Sequence, residues 1–174
     1  MNRILLGLSL LLIVGFSAVY WQMGGFKAAT VTLETTTQPY FVAGRYYAGP
    51  ANDEAFGDLT REAYNVRKSG KLRGDFGNIF YNSPESTRDS ARVFVGVLVA
   101  DTTSQTLPAG YSYRTFAAGQ RLLHARIQAS YLVAPDKLYS GIKAAAEAQK
   151  LTLSHLYLEH FPDQGESEVF AVVK

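Results

Sequence analysis

Glu159 stands between two aromatic residues in the segment Leu156-Tyr157-Leu158-Glu159-His160-Phe161-Pro162-Asp163. Strand side chains alternate, so Tyr157, Glu159 and Phe161 share one face, while Leu156, Leu158 and His160 share the other. On a wet face Glu159 is an ordinary solvated acid. On a buried face an unpaired carboxylate is costly, so it must be paired, neutral or available to a cation. Two chemistries follow from burial. One is cation binding, with each aromatic face contributing roughly 0.5–2 kcal/mol. The other is hydrolysis of a reactive small electrophile, with Glu159 as general base and Tyr157 or Tyr81 as proton donor. Tyr157, Tyr81 and Phe80 are the wall residues expected from the paired strands, and Tyr46, Tyr111 and Tyr113 are further candidates.

Other chemistries lack their residues. The chain has no G-x-S-x-G, no H-E-x-x-H and no phosphate loop. With no cysteine, disulfides and thiolate metal sites are excluded. His124, His155 and His160 lack metal-ligand spacing, and alternation places His155 and His160 on opposite faces of a strand. No metal and no cofactor are therefore expected. A net charge of +2, without a basic stripe, gives no footing for nucleic-acid binding.

The 174 residues are 47% hydrophobic and 18% charged, which fits a folded domain rather than a disordered chain. Residues 1–27 differ from the rest. Ile4 to Trp21 is uncharged, and those eighteen positions span roughly 27 Å as a helix, close to a bilayer's hydrocarbon core of about 30 Å. Tyr20 and Trp21 stand where interfacial aromatics belong. The reading is a single-pass membrane anchor through residues 4–21. A cleaved signal peptide is the alternative, for which Gly15-Phe16-Ser17-Ala18 is a poor cleavage site. Arg3 and the terminal amine against Lys27 lean towards an extracytoplasmic domain.

Residues 28–174 form the domain. Strands are expected over Ala28–Thr36, Tyr40–Ala48, Asn78–Asn82, Arg92–Ala100, Tyr111–Ala117, Arg121–Leu132, Leu151–His160 and Glu168–Val173. A turn is expected at Ser83-Pro84-Glu85, with a polar loop over Ser86–Ser90. Helices are expected from Asn52 to Lys68, where Phe56, Leu59, Ala63 and Val66 form an apolar seam, and from Pro135 to Gln149. Each half reads strand, helix, strand, strand. The expected fold is α+β: duplicated strand-helix-strand-strand units forming a pseudo-two-fold antiparallel sheet, with two helices on one face and a concave face for a ligand.

Taken in order, these segments resemble the GyrI-like small-molecule-binding domain, over about Ala28 to Lys174. The likeness lies in Tyr46-Tyr47-Ala48-Gly49-Pro50, Ile79-Phe80-Tyr81-Asn82-Ser83-Pro84, Arg92 through Gly96-Val97-Leu98-Val99, Leu107-Pro108-Ala109-Gly110-Tyr111 and Leu158-Glu159-His160-Phe161-Pro162-Asp163. The resemblance implies the duplicated fold and a pocket for lipophilic cations, with Glu159 at the position of the sensors' acidic residue. Some GyrI-like relatives hydrolyse reactive electrophiles with an acid and a tyrosine. The domain also occurs behind an N-terminal anchor in an autophagy receptor of the endoplasmic reticulum, facing the cytosol, which opposes the charge count. This chain departs from the sensors in lacking a DNA-binding segment and in its long Gly119–Ala134 stretch. A membrane-anchored, non-catalytic module for a lipophilic or cationic small molecule is the expectation. A hydrolase, an adaptor that recruits a protein partner by strand addition, and haem binding through the related SOUL-type fold are the alternatives.

Overall fold

The computed structural model describes residues 2–83 and 90–174. In chain order the elements are α1 (Asn2–Gln22), β1 (Thr30–Thr35), β2 (Tyr40–Gly49), α2 (Glu54–Lys68), β3 (Asp75–Phe80), β4 (Ala91–Val99), β5 (Ser112–Phe116), β6 (Arg121–Ile127), α3 (Ala134–Ala148), β7 (Leu153–Phe161) and β8 (Ser167–Val173). The eight strands make one antiparallel sheet in the order β1-β6-β8-β7-β3-β4-β2-β5.

That order is a two-fold pattern. The unit β2-α2-β3-β4 and the unit β6-α3-β7-β8 meet where β3 pairs with β7, and their remaining strands follow in mirrored order. The strand before each unit crosses over: β1 pairs with β6, and β5 with β2. Each half therefore holds the other at the sheet's outer edge.

Local sequence sets the helices. Asp53 accepts a hydrogen bond from the Ala55 amide at 2.9 Å, which caps α2, and Arg67 and Lys68 complement the last turn. α3 opens with Pro135 and Asp136, residues suited to a first turn. Leu59 and Ala63 of α2 and Leu138, Ile142 and Ala146 of α3 bury their apolar stripe against Phe76, Phe80, Tyr157, Phe161 and Ala171 of the sheet. Both helices thus cover the same face, the one that bears Glu159.

The other face has no helix, yet it is filled. Tyr40 of β2 and Phe170 of β8 have ring centroids 5.1 Å apart. Four strand spacings separate them in the sheet, about 19 Å if it were flat. The sheet therefore curls until its two wings meet, and Val42, Ile79, Phe94, Phe116, Leu122, Leu158 and Phe170 occupy the hollow. The concave face expected to receive a ligand is this plugged one.

Most element ends shift by a residue or two, and three departures matter more. β3 starts at Asp75 rather than Asn78. β6 ends at Ile127, where its partner β8 begins at Ser167, so the expected long strand to Leu132 has nothing further to pair with. β7 is irregular between Leu153 and Tyr157, with His155 at φ +66°, so simple alternation does not relate His155 to His160. The turn at Pro84 and most of the polar loop after it lie outside the described residues.

Candidate functional site

The central pairing of β3 with β7 sets Asn78 opposite Glu159 and Phe76 opposite Phe161. Glu159 is 7% exposed. Its Oε2 accepts a hydrogen bond from Asn78 Nδ2 at 2.7 Å, and its Oε1 accepts one from the Tyr139 hydroxyl at 2.7 Å. Tyr139 reaches down from α3, and its ring packs edge-on to Tyr157 at 5.9 Å. Burial pushes the Glu159 carboxyl above its ordinary pKa, and the bonds from Asn78 and Tyr139 offset this only in part. Burial and the nearby carboxylate hold the Tyr139 hydroxyl well above the usual tyrosine value. Both partners of Glu159 among the described residues are neutral, and Asn78 Oδ1 is buried with no hydrogen-bond partner among them.

A cavity of about 600 Å³ opens beyond Phe76 and Phe161 on the same face, and Glu159 is not among the residues that line it. Gly57, Thr60, Tyr64 and Arg67 of α2 form one side, and Ala129, Ser130 and Tyr131 the other, with Phe76 and Phe161 at the back. Arg67 pairs with Asp163, and Arg61 with Asp58 at 2.8 Å, so the cations of the wall are already matched. Glu159 lies one same-face step behind Phe161, roughly 7 Å along the strand. Tyr131 stands edge-on to both back-wall rings, with centroids 5.0 Å from Phe161 and 6.3 Å from Phe76. Burial and the charge of Glu159 both raise the Tyr131 pKa, which places that hydroxyl within the acid's field. Tyr131 lines the cavity and packs on Phe161, the residue one same-face step from the carboxylate.

The residues singled out from sequence divide between the two faces. Glu159, Tyr157 and Phe80 share the helix-covered face, with Phe80 opposite Tyr157. Tyr81 and Tyr46 face the other way: they pair with each other at 6.2 Å, and Tyr81 belongs to the hollow's cluster. Because Phe80 and Tyr81 are consecutive in an extended segment, they cannot both wall one pocket. Tyr113 lies against a third cluster around Ala43 and Val97, its hydroxyl donating to the Gln105 carbonyl at 3.2 Å. Sequence reasoning missed Asn78, Tyr131 and Tyr139. A Tyr at the sixth position of α3 carries no local mark; the packing of helix on sheet brings it to Glu159.

The opposite face holds a second polar array. Across β1, β6, β8, β7 and β3 run Glu34, His124, Glu168, His160 and Asp75. His124 Nδ1 is 2.8 Å from Glu34 and its Nε2 3.1 Å from Glu168; His160 Nδ1 is 2.9 Å from Glu168 and its Nε2 3.1 Å from Asp75. Burial alone would raise the Glu168 carboxyl, but the bonds and charges of the two rings overturn that and hold it at about 2. Burial alone would lower His160, and Glu168 and Asp75 overturn that in turn, raising it.

No family model matches the chain, and no curated protein does. Solved structures do share its fold. SAV2435 bound to tetraphenylphosphonium superposes with a TM-score of 0.55 at 12% identity, over 85% of this chain and 94% of that one. The C-terminal domain of EcmrR gives 0.58 at 11% identity, over 85% and 99%. The integron cassette protein VCH_CASS2 of Vibrio cholerae gives 0.59 at 11% identity, over 85% and 97%. At such identities the likeness speaks for the fold alone: an α+β fold consistent with the GyrI-like proteins.

Proposed function

We propose that the chain is a membrane-anchored GyrI-like module that binds a lipophilic cation between α2 and the Ala129–Tyr131 segment, with Glu159 as the charge partner. One observation carries this reading: a buried carboxylate has only neutral hydrogen-bond partners among the described residues and lies one strand step behind an aromatic-backed cavity. Ionising such a group is costly, and an incoming cation is what would offset that cost. A cavity of about 600 Å³ is within the range of small-molecule sites. The fold-mate SAV2435 bound to tetraphenylphosphonium supports the choice of ligand class. In this reading the ligand sits on Phe76 and Phe161, and Glu159, Tyr157 and Phe80 stand buried behind them on the same face of the sheet. Tyr81, Tyr46 and Tyr113 take no part in it.

The anchor is α1. Its stretch Leu5–Gln22 is 18 residues long, apolar and wholly unburied by the rest of the chain. Its length and apolar character match a bilayer's hydrocarbon core of about 30 Å, which supports the anchor reading.

The test is titration of the full chain in detergent or nanodiscs with tetraphenylphosphonium. Glu159→Gln is expected to weaken binding at least tenfold while circular dichroism stays unchanged. Equal titration curves for the two proteins would sink the ligand reading. The contact of Tyr139 with Glu159 favours one second reading, hydrolysis, since a base and a proton donor are already adjacent. Turnover of an activated ester or epoxide that disappears in Glu159→Gln would select it.

A further inference from the structure

α1 does not hang from a loose linker. It ends against the wall of the cavity. The Ser130 amide donates to the Met23 carbonyl at 2.9 Å, and Lys27 Nζ donates to the Gln128 carbonyl at 2.9 Å. Gly24 turns the chain with φ +79°, and a Cβ there would stand 2.9 Å from Ala129 Cβ, so only glycine allows this approach. Tyr20 folds over Gly25 and meets Phe26 edge-on at 5.1 Å. The residues these contacts fix, Ala129 and Ser130, are themselves cavity wall.

Position follows from length. If Leu5–Gln22 fills a hydrocarbon core of about 30 Å, the next 5–7 Å is headgroup. Met23 and Gly24 follow Gln22 directly, and they touch Ser130 and Ala129. The side chains around this junction suit that layer. Trp21 is 73% exposed, Phe26 68%, Tyr131 54% and Leu132 77%. Four large apolar or aromatic side chains left exposed at one end of an apolar helix, with a lysine among them, match an interfacial belt. Tyr131 packs part of its ring on Phe161 and Phe76, whereas Leu132, 77% exposed, is bare.

We propose that the segment Gln128–Leu132 is seated in the headgroup layer of the bilayer that α1 spans, so that the cavity opens at the level of the lipids. The partner surface is lipid. This rests on the anchor reading of α1.

Two probes separate the two ideas. Trp21 is the single tryptophan, and the chain has no cysteine. Full-length protein is reconstituted in phosphatidylcholine vesicles. Trp21 emission is read against lipids brominated on the acyl chain, which reports the anchor. Leu132→Cys carries a fluorophore read against headgroup-nitroxide lipids. Glu147→Cys, exposed in the last turn of α3 and about 20 Å away along that helix, is the reference. The expected result is a quenched Trp21 and a quenching slope at position 132 at least threefold that at 147. A quenched Trp21 with equal slopes at 132 and 147 would overturn the seating and leave the anchor standing. An unquenched Trp21 would remove both.

Discussion

Tyr139 and Glu159, twenty residues apart, share a 2.7 Å hydrogen bond beneath the packing of α3 on the sheet. The tyrosine is the donor and the carboxylate the acceptor, so the bond favours the ionised acid. Burial opposes it and prevails, leaving the carboxyl above its ordinary pKa. The folded protein therefore holds this proton to higher pH than the unfolded chain does. By linkage, stability falls as pH rises from the normal carboxylate range through the folded value.

Replacing the donor tests that balance. In Tyr139→Phe the ionised acid keeps, among the described residues, only Asn78, and its pKa rises further. A hydrogen bond to a charged group contributes about 1.5–3 kcal/mol, so urea unfolding at pH 8 should report a loss of that order, shrinking towards pH 5. Tetraphenylphosphonium affinity should fall at neutral pH, with its pH midpoint displaced upwards. An unmoved midpoint would mean that Tyr139 does not tune the acid.

Tyr131 lines the cavity, 54% exposed, with its ring perpendicular to those of Phe161 and Phe76. A ring held this loosely can swing out on a fast timescale. Tyr131→Ala should raise the association rate of a lipophilic cation several-fold in stopped-flow fluorescence. The dissociation rate should rise as well, because one aromatic face is lost. An association rate equal to the wild type would show that the carboxylate is reached by another route.

On the opposite face, Glu168 bridges two histidines, and its carboxyl is held at about 2 against an ordinary 4.5. That shift corresponds to stability on the order of 3 kcal/mol, present above the unfolded value and lost as pH falls through the folded one. His160 moves the opposite way, above 6.5, because both its nitrogens meet carboxylates and an imidazole donates twice only when protonated. Its contribution is complete below about pH 6.5 and is lost as pH rises through the folded value. With these two groups alone the optimum would span about pH 4.5 to 6.5, and the loss through Glu159 draws it towards the acid end of that range. His160→Gln should flatten the alkaline decline without removing the acid one; an unchanged alkaline limb would show that Glu159 alone causes it.

Alternation and helical spacing made the strands, the helices and their doubled order legible, because each half buries one face of each element and repeats the pattern. They also put Glu159 with Tyr157 and Phe161. They did not reveal which face the helices cover or how far the sheet curls, since both depend on contacts between residues distant in the chain. Tyr40 meets Phe170 only because of that curl, and Tyr139 meets Glu159 only because α3 lies over β7. Period-two geometry sends the neighbours Phe80 and Tyr81 to opposite faces, so an expectation that both line one pocket conflicts with the alternation itself. Asn78 was legible as a strand residue but not as the partner of an acid eighty-one positions away.

The curl itself has a sequence cause. Gly44, Gly96 and Gly77 stand in one row across β2, β4 and β3, directly beside His160 of β7. A row with no side chains lets three strands bend sharply towards the hollow. At Gly96 an added Cβ would run into the Ala43 carbonyl oxygen and come within 2.7 Å of the Gly44 Cα. These are backbone atoms of the paired strand, so relief requires separating β2 from β4. Gly96→Ala should therefore cost upwards of about 3 kcal/mol in denaturant unfolding. Gly57 provides the contrast: it lies in α2, with nothing within 4 Å of an added Cβ. Gly57→Ala should stabilise the protein by up to about 1 kcal/mol through helix propensity alone. Opposite signs for the same chemical change would locate the strain in the glycine row; a tolerated Gly96→Ala would show that the curl does not need it.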